Sequence, residues 1–193
     1  MPCSRGLLRR QVIRAAKRAG EIYEKGHINN EPTFQMYMVR FLEEEFKNCH
    51  TTKNKRFIFC QSIIKPDSKD IAPDIIITNT QTIIAIIELK FTPRQIDWSG
   101  VGKDLSNLNE IAQFRDNTIL KIERFTGKSK PEYPIAKGDV LFCWIGLHND
   151  TPEVSFKEKL KDQIGKYYFG NCYMEIHLIT DEEGRVSSDV FYE

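Results

Sequence analysis

The stretch of residues 72–91, APDIIITNTQTIIAIIELKF, constrains the fold more than any other part of the sequence. Two short runs rich in isoleucine, 74–78 and 83–90, flank the polar turn NTQT, a pattern that predicts a β-hairpin. Even-numbered residues 84–90 are predicted to share one face of the second strand, and odd-numbered residues 83–89 the other. Because both faces begin apolar, we expect a central strand that is covered on both sides.

Charged residues stand at one end of this hairpin. Asp74 opens the first strand, and Glu88 and Lys90 close the second. A two-residue loop would pair Asp74 with Ile87, whereas a three-residue loop or a bulge would set it across from Glu88. In either register the two carboxylates lie about 5 Å apart laterally. Burying charges here is expensive, so they must be neutralised by each other, by a metal or by a ligand.

These residue types suit one chemistry in particular. A hard divalent cation between the two carboxylates would relieve their repulsion, as Mg²⁺ does with oxygen ligands. Lys90 would then be within reach of a metal-bound water and of a phosphate oxygen. Metal, water and ammonium are the parts needed for phosphodiester hydrolysis. A buried ion-pair network without catalysis is the alternative interpretation.

The spacing of these residues also matches a known pattern. Pro73-Asp74, followed after thirteen residues by Glu88-Leu89-Lys90, resembles the signature of the PD-(D/E)XK nuclease superfamily. The resemblance implies an α/β, restriction-endonuclease-like fold, in which a mixed central sheet is flanked by helices. Its core order would be αβββαβ: a helix, a three-stranded meander, a helix and a strand.

The resemblance also implies roles for individual residues. Asp74 and Glu88 would be ligands of Mg²⁺ or Mn²⁺, with the backbone carbonyl of Leu89 completing the coordination. Lys90 would orient or activate the attacking water. Glu31, at the head of the apolar stripe of the preceding helix, best matches a glutamate that many members carry there.

Periodicity predicts the remaining elements. A basic helix over 1–20 and a helix from residue 31 precede a strand over 56–64 and the hairpin. A third helix is expected from residue 101, continuing with a break to about 125, and then a Pro, Gly and Lys-rich loop over 127–139. A strand over 139–147, a charged helical stretch over 156–164 and a hairpin of 172–180 with 185–193 follow. We expect one nuclease-like domain over 1–193, with the basic helix in 1–27, the core in 31–147 and an extension in 148–193.

The first twenty residues carry six basic residues and no acidic one, within a chain whose net charge is +1. Three interpretations stay open for this helix: packing on the domain with a solvated basic face, a phosphate-binding arm, or a targeting peptide. Arg94 and Lys103 are further candidates for contacts with a nucleic-acid backbone. Trp98 could stack on bases, whereas core packing is expected for Trp144.

The cysteines and histidines limit the kinds of metal site and the cellular compartment that can be expected. The five cysteines never form a CxxC pair, which argues against a zinc ribbon, an iron–sulfur cluster and a disulfide framework. The four histidines lack ligand spacing, so a metal would be held by carboxylates. A cytoplasmic location is expected. No apolar run approaches the roughly 20 residues that span a bilayer, so no membrane segment is expected.

The resulting functional expectation is a Mg²⁺-dependent nuclease, most simply an endonuclease, that cleaves DNA in preference to RNA by means of a metal-activated water. A homodimer would suit cleavage of both strands of a duplex. The alternative is a catalytically inactive nucleic-acid-binding or protein-interaction module of the same fold. Gln113 has no Tyr three or four residues later, so a RecB-like exonuclease is not assigned.

Overall fold

The computed structural model describes residues 3–47, 55–66, 69–116, 118–121, 132–137, 140–165, 169 and 172–192. Its helices are α1 (Cys3–Glu24), α2 (Glu31–Lys47), α3 (Trp98–Gln113), α4 (Phe156–Lys159) and α5 (Lys161–Ile164). Its strands are β1 (Phe57–Cys60), β2 (Ile75–Thr78), β3 (Ile83–Thr92), β4 (Ile119–Lys121), β5 (Glu132–Pro134), β6 (Leu141–His148), β7 (Tyr173–Thr180) and β8 (Val186–Tyr192).

Six strands form one mixed sheet in the order β1-β2-β3-β6-β7-β8. The β1–β2, β2–β3 and β7–β8 pairs are antiparallel, whereas β3, β6 and β7 run parallel. The elements α2, β1, β2, β3, α3 and β6 follow the predicted core order αβββαβ, with the small β4–β5 hairpin between α3 and β6. The mixed sheet flanked by helices is therefore confirmed, as is the C-terminal β-hairpin.

Each face of the sheet carries its own hydrophobic core. On one face α1 and α2 pack on the sheet, and the predicted apolar stripe of α2 is fully or nearly buried there: Phe34, Met38, Phe41 and Leu42. On the other face α3 supplies a second buried stripe: Val101, Leu105, Leu108 and Ile111. Because β3 lies between the two cores, it is the covered central strand that its sequence predicts.

The register of the β2–β3 hairpin settles which pairing the chain adopts. Near the turn Thr78 lies opposite Ile83, and beyond a β-bulge Ile75 lies opposite Ile87. Continuing the second register by one residue sets Asp74 across from Glu88. The bulged alternative is thus the one that forms, and it brings the two carboxylates to neighbouring positions.

Because of this bulge, the first two side chains of β3 do not lie on the faces predicted from simple alternation. Ile83 belongs to the core beneath α3, together with Ile86, and Ile84 packs against the opposite core. These are the reverse of the predicted faces for residues 83 and 84. A bulge adds one residue to one strand of a pair, so the alternation of side chains shifts by one position across it.

Two further predictions about strands were wrong in extent. The strand expected over 56–64 ends at Cys60, because Gln61 adopts a left-handed backbone with φ of 47°. Ile64 instead forms isolated bridges with Ile71 and Leu120. The segment expected to be a loop over 127–139 contains β5, which pairs with β4. Residues 122–131 and 138–139 lie outside the described residues.

The expected continuation of the third helix toward residue 125 was also wrong. The helix ends at Gln113, with Phe114 as its C-cap. Thr118 then turns the chain back, since its hydroxyl donates to the Phe114 carbonyl at 3.0 Å. The helical stretch expected over 156–164 forms as two four-residue helices, α4 and α5, which are separated by the buried Leu160.

The basic first helix packs on the domain, as in the first of its three interpretations. Its apolar side buries Leu8, Val12 and the nearby alanines in the core that α1 shares with α2. On its polar side Arg14 and Arg18 form ion pairs with the acidic end of α2. Among the described residues, no helix is both long enough and apolar enough to cross a membrane.

Candidate active site

The structure brings the charged residues of the hairpin together where β2 begins and β3 nears its end. The backbone N–H of Leu89 donates to Asp74 Oδ2 at 2.7 Å. In return, the backbone N–H of Asp74 donates to Glu88 Oε2 at 3.3 Å. These two hydrogen bonds join the strands through side chains just past the last ladder pair. They hold the carboxylates of Asp74 and Glu88 at one edge of the hairpin.

The first turn of α2 is attached to the same place. Glu31 Oε2 accepts a hydrogen bond from the Phe91 N–H at 3.1 Å. One turn further along, Gln35 Nε2 donates to the Asp74 carbonyl at 2.6 Å. The helix therefore presents Glu31 beside the ends of β2 and β3, where its sequence position placed it. Its charge is close enough to raise the pKa of Asp74.

The backbone of Leu89 faces Asp74 as well. In a β-strand, the N–H and the carbonyl of one residue point toward the same neighbouring strand. Because the N–H of Leu89 reaches the Asp74 carboxylate, its carbonyl lies on that side too. Two carboxylates and one backbone carbonyl thus border the same edge.

Glu88 is the most buried of these carboxylates. Only 5% of the residue is exposed, and its Oε1 atom is buried with no hydrogen-bond partner within the described structure. Burial raises the pKa of Glu88 well above its ordinary value, and the charges of Asp74 and Asp104 raise it further. Burial is also the main cause that raises the pKa of Asp74. Ionising both carboxyls at this end of the hairpin is therefore unfavourable unless a proton or a cation neutralises them.

Lys90 contributes the ammonium of the site. Its Nζ lies 3.5 Å from Asp104 Oδ2, and both side chains are largely buried, at 17% and 13% exposure. Burial lowers the pKa of Lys90, but the nearby charges of Asp104 and Glu31 outweigh it and raise the pKa overall. Burial raises the pKa of Asp104 to about 7 even though Lys90 lowers it.

Asp104 is the site residue that the sequence analysis missed. It lies on α3 between the buried residues Val101 and Leu105, so it borders the apolar stripe of that helix. An acidic residue beside the buried face of the helix that follows the motif strand is the signal that would have identified it. Its position gives the site a fourth carboxylate, after those of Glu31, Asp74 and Glu88.

The other predicted residues lie farther out. Arg94, in the loop between β3 and α3, and Lys103, on α3, are both exposed. Trp98 is 41% exposed and packs against Phe156, with ring centroids 4.9 Å apart. Trp144 is only 1% exposed, as its apolar strand predicts.

The donor set decides whether a divalent cation fits. Within the described ranges, no group of three or more His, Cys, Asp or Glu side chains is arranged to hold a metal ion. The predicted ligand set contains only two acidic side chains, those of Asp74 and Glu88, and its third member is the backbone carbonyl of Leu89. Oxygen atoms of carboxylates and carbonyls are the ligands that Mg²⁺ prefers. The buried, unpartnered Oε1 of Glu88 is the atom that a cation would satisfy, so the residues fit this group.

Comparison with known proteins gives distant structural matches. The cAAA-bound form of NucC from P. aeruginosa ATCC27853 is 7% identical in sequence and has a TM-score of 0.48, covering 94% of this chain and 82% of that one. The cAAA-bound form of NucC from E. coli MS115-1 is 11% identical, with a TM-score of 0.49 and coverage of 98% and 83%. No protein-family model and no curated protein matches the sequence. The structural matches are too distant to carry an argument about function, which has to come from the site.

Proposed function

We propose that this protein is a metal-dependent nuclease that hydrolyses phosphodiester bonds by attack of a water molecule on phosphorus. DNA is the substrate that the resemblance to the PD-(D/E)XK superfamily implies in preference to RNA. The observation that carries the proposal is the cluster of carboxyl groups around Lys90 at the end of the hairpin. Glu31, Asp74, Glu88 and Asp104 lie there, burial is the main cause that raises the pKa of the last three, and no described residue hydrogen-bonds to the buried Oε1 of Glu88.

The ratio of four carboxyls to one ammonium argues against a purely structural ion-pair network. In such a network the charges neutralise one another and nearly all buried oxygens are hydrogen-bonded. Here the pKa values of Asp74, Glu88 and Asp104 are all raised, with burial as the leading cause. Carboxyl groups with raised pKa values cluster at sites that bind a ligand or a cation.

Asp74, Glu88 and the carbonyl of Leu89 would hold Mg²⁺ or Mn²⁺. When bound, the cation supplies a lowered pKa for water and positive charge to stabilise the transition state. The hydrogen bonds from Leu89 to Asp74 and from Asp74 to Glu88 fix the two carboxylates before any ligand arrives. Such preorganisation avoids the cost of rearranging the site during the reaction.

Lys90 acts as a cation in this proposal. In the metal-free protein burial lowers the pKa of Lys90, but the charges of Asp104 and Glu31 outweigh it and favour the protonated amine. It can donate hydrogen bonds to a phosphate oxygen and stabilise the negative charge that develops there. Glu31 keeps one oxygen on the Phe91 N–H and can accept a hydrogen bond from the attacking water with the other.

A cleavage assay with matched lysine variants tests the proposal. Labelled single-stranded, double-stranded and branched DNA, together with RNA, would be incubated with the protein in Mg²⁺, in Mn²⁺ and in chelator. Lys90→Met removes the ammonium from the site. Lys69→Met is the control, because Lys69 also forms an ion pair with an acidic residue of α3, Glu110, but lies on the surface.

We expect metal-dependent cleavage by the wild type and by Lys69→Met, and a loss of at least 100-fold in Lys90→Met, about the size of losing one transition-state donor. Nucleic-acid binding without cleavage in any protein would contradict the nuclease and support an inactive binding module. Neither binding nor cleavage would indicate an ion-pair network.

A further inference from the structure

The side chain of Lys90 lies against the first two turns of α3. Asp97 is the N-cap of this helix, and its side chain accepts a hydrogen bond from the Ser99 N–H. Gly100 follows three residues later and Asp104 four residues after that, a spacing that places all three on one face of the helix. Asp97 and Asp104 are both among the charges that raise the pKa of Lys90. We call this face, formed by Asp97, Gly100 and Asp104, the lysine socket.

Gly100 leaves the space that the lysine occupies. A β-carbon at this position would lie 2.5 Å from Oδ2 of Asp97, and 2.6 Å from Cε and 2.9 Å from Nζ of Lys90. All three distances are shorter than van der Waals contact, so a side chain larger than hydrogen cannot coexist with the observed positions of the ammonium and of the Asp97 carboxylate. Gly102, two residues along the same helix, shows no such restriction. Among the described residues, a β-carbon there would meet Gln163 Oε1 alone, at 4.0 Å.

The two aspartates of the socket solve an electrostatic problem. The N-terminus of a helix carries partial positive charge, which repels a cation in the first turn. Lys90 nevertheless lies against this turn, and the carboxylates of Asp97 and Asp104 surround it there. Asp104 is within ion-pair distance, at 3.5 Å from Nζ. The acids therefore hold the ammonium where the helix alone would expel it.

We propose that the lysine socket is a positioning element of the active site: Gly100 admits the Lys90 ammonium and Asp104 holds it on the Glu88 side of the sheet. This inference rests on the proposed nuclease function for its catalytic consequence, but not for the placement of the lysine. Gly100 and Asp104 act through Lys90 and need not touch the substrate. Gly100 is thus kept free of a side chain for the sake of the site, at a cost in helix stability.

Replacing Gly100 by Ala separates stability from activity. Ala is favoured over Gly in a helix by about 1 kcal/mol. The new methyl group would displace the end of the flexible Lys90 side chain and Oδ2 of the N-cap residue Asp97, so the helix can form once both side chains have moved aside. Gly102→Ala also replaces Gly by Ala in this helix but displaces neither Lys90 nor Asp97, which makes it the control for helix propensity.

Two readouts then follow the lysine directly. Acetylation of individual amines, measured by mass spectrometry, reports how accessible Lys90 is, with the exposed Lys103 as the internal reference. Cleavage kinetics report kcat and KM separately. For Gly100→Ala we expect acetylation of Lys90 at least threefold faster than in wild type, kcat at least tenfold lower and KM within twofold. Asp104→Asn, which keeps size but removes the charge, should shift both readouts in the same direction by a smaller factor.

Gly102→Ala should match the wild type in both readouts, and thermal unfolding should show both glycine variants folded at 25 °C. Unchanged acetylation of Lys90 in Gly100→Ala would overturn the socket. Faster acetylation with kcat unchanged would overturn its positioning role. If the wild type cleaves no substrate, the proposed function fails, while the acetylation readout still decides whether the socket holds the lysine.

Discussion

Glu88→Gln should stabilise the protein in the absence of divalent cations, although it removes a carboxylate that the proposed activity needs. Glu88 is 5% exposed, one of its carboxyl oxygens has no hydrogen-bond partner among the described residues, and burial together with Asp74 and Asp104 raises its pKa. Its negative charge therefore opposes folding. Glutamine has nearly the same shape without the charge.

The magnitude of this effect has an upper bound. The folded protein can neutralise Glu88 by binding a proton. At pH 7 the free-energy cost of this protonation is set by the 2.5 pH units between pH 7 and the ordinary pKa of 4.5. At about 1.4 kcal/mol per pH unit, the bound is about 3 kcal/mol. Allowing for an imperfect fit of the amide, we expect the free energy of unfolding to rise by about 1–3 kcal/mol. For a chain of this length, Tm should rise by about 2–10 °C.

Urea and thermal unfolding in chelator at pH 7, followed by circular dichroism, would measure the change. Glu175→Gln is the matched control, because Glu175 is also fully buried but accepts hydrogen bonds from Ser155, Tyr173 and two backbone N–H groups. Burial raises the pKa of Glu175, but hydrogen bonds from His177 and Ser155 lower it overall. This control should lose about 2–4 kcal/mol. An equal loss in Glu88→Gln would refute the reasoning.

Three further outcomes are expected. Burial, followed by the charge of His177, lowers the pKa of His148 to about 4 from 6.5. Below pH 6.5 the unfolded chain binds the extra proton, so His148 contributes a loss of about 2 kcal/mol between pH 7 and pH 5, opposite in sign to the contribution of Asp104, whose raised pKa stabilises the folded state as the carboxyl binds a proton. In urea unfolding, the stability of the wild type relative to His148→Gln should therefore fall by about 2 kcal/mol over this range. Gly146→Ala should cost more than 2 kcal/mol in the same assay, because its β-carbon would overlap the buried ring of Trp144, which has no room to move. Substitution of Arg94 or Lys103 by Ala removes an exposed charge and should weaken nucleic-acid binding, measured by fluorescence anisotropy. The slope of log K against log salt concentration should fall by about one counterion for each substitution. An unchanged slope would exclude a phosphate contact.

The residues of the hairpin could be predicted from sequence because their geometry is local. A short turn and two β-forming runs fix Asp74, Glu88 and Lys90 at one edge, whichever register forms. The choice between registers could not be predicted, since the bulge beside Thr78 depends on how the hairpin packs between two cores. Glu31 could be identified because it heads an apolar stripe whose buried face is set by periodicity.

Asp104 and Gly100 could not be found in the same way. Helical periodicity shows which face of α3 is apolar, but not how its border residues meet a strand that is distant in the chain. The rotation of α3 against β3 is decided by tertiary packing of its buried stripe. The β4–β5 hairpin escaped prediction for a related reason: three-residue strands leave no periodic pattern to recognise, and their pairing joins residues more than ten positions apart.

Calorimetric titration of Mn²⁺ into metal-free protein tests most directly whether the carboxylates of the hairpin hold a cation. The comparison is between the wild type, Asp74→Asn and Asp70→Asn, since Asp70 is a surface aspartate in an exposed ion pair with Lys65. We predict a saturable site in the wild type and in Asp70→Asn, with affinity at least tenfold weaker in Asp74→Asn. Equal binding by all three proteins, or no saturable binding by the wild type, would contradict the account.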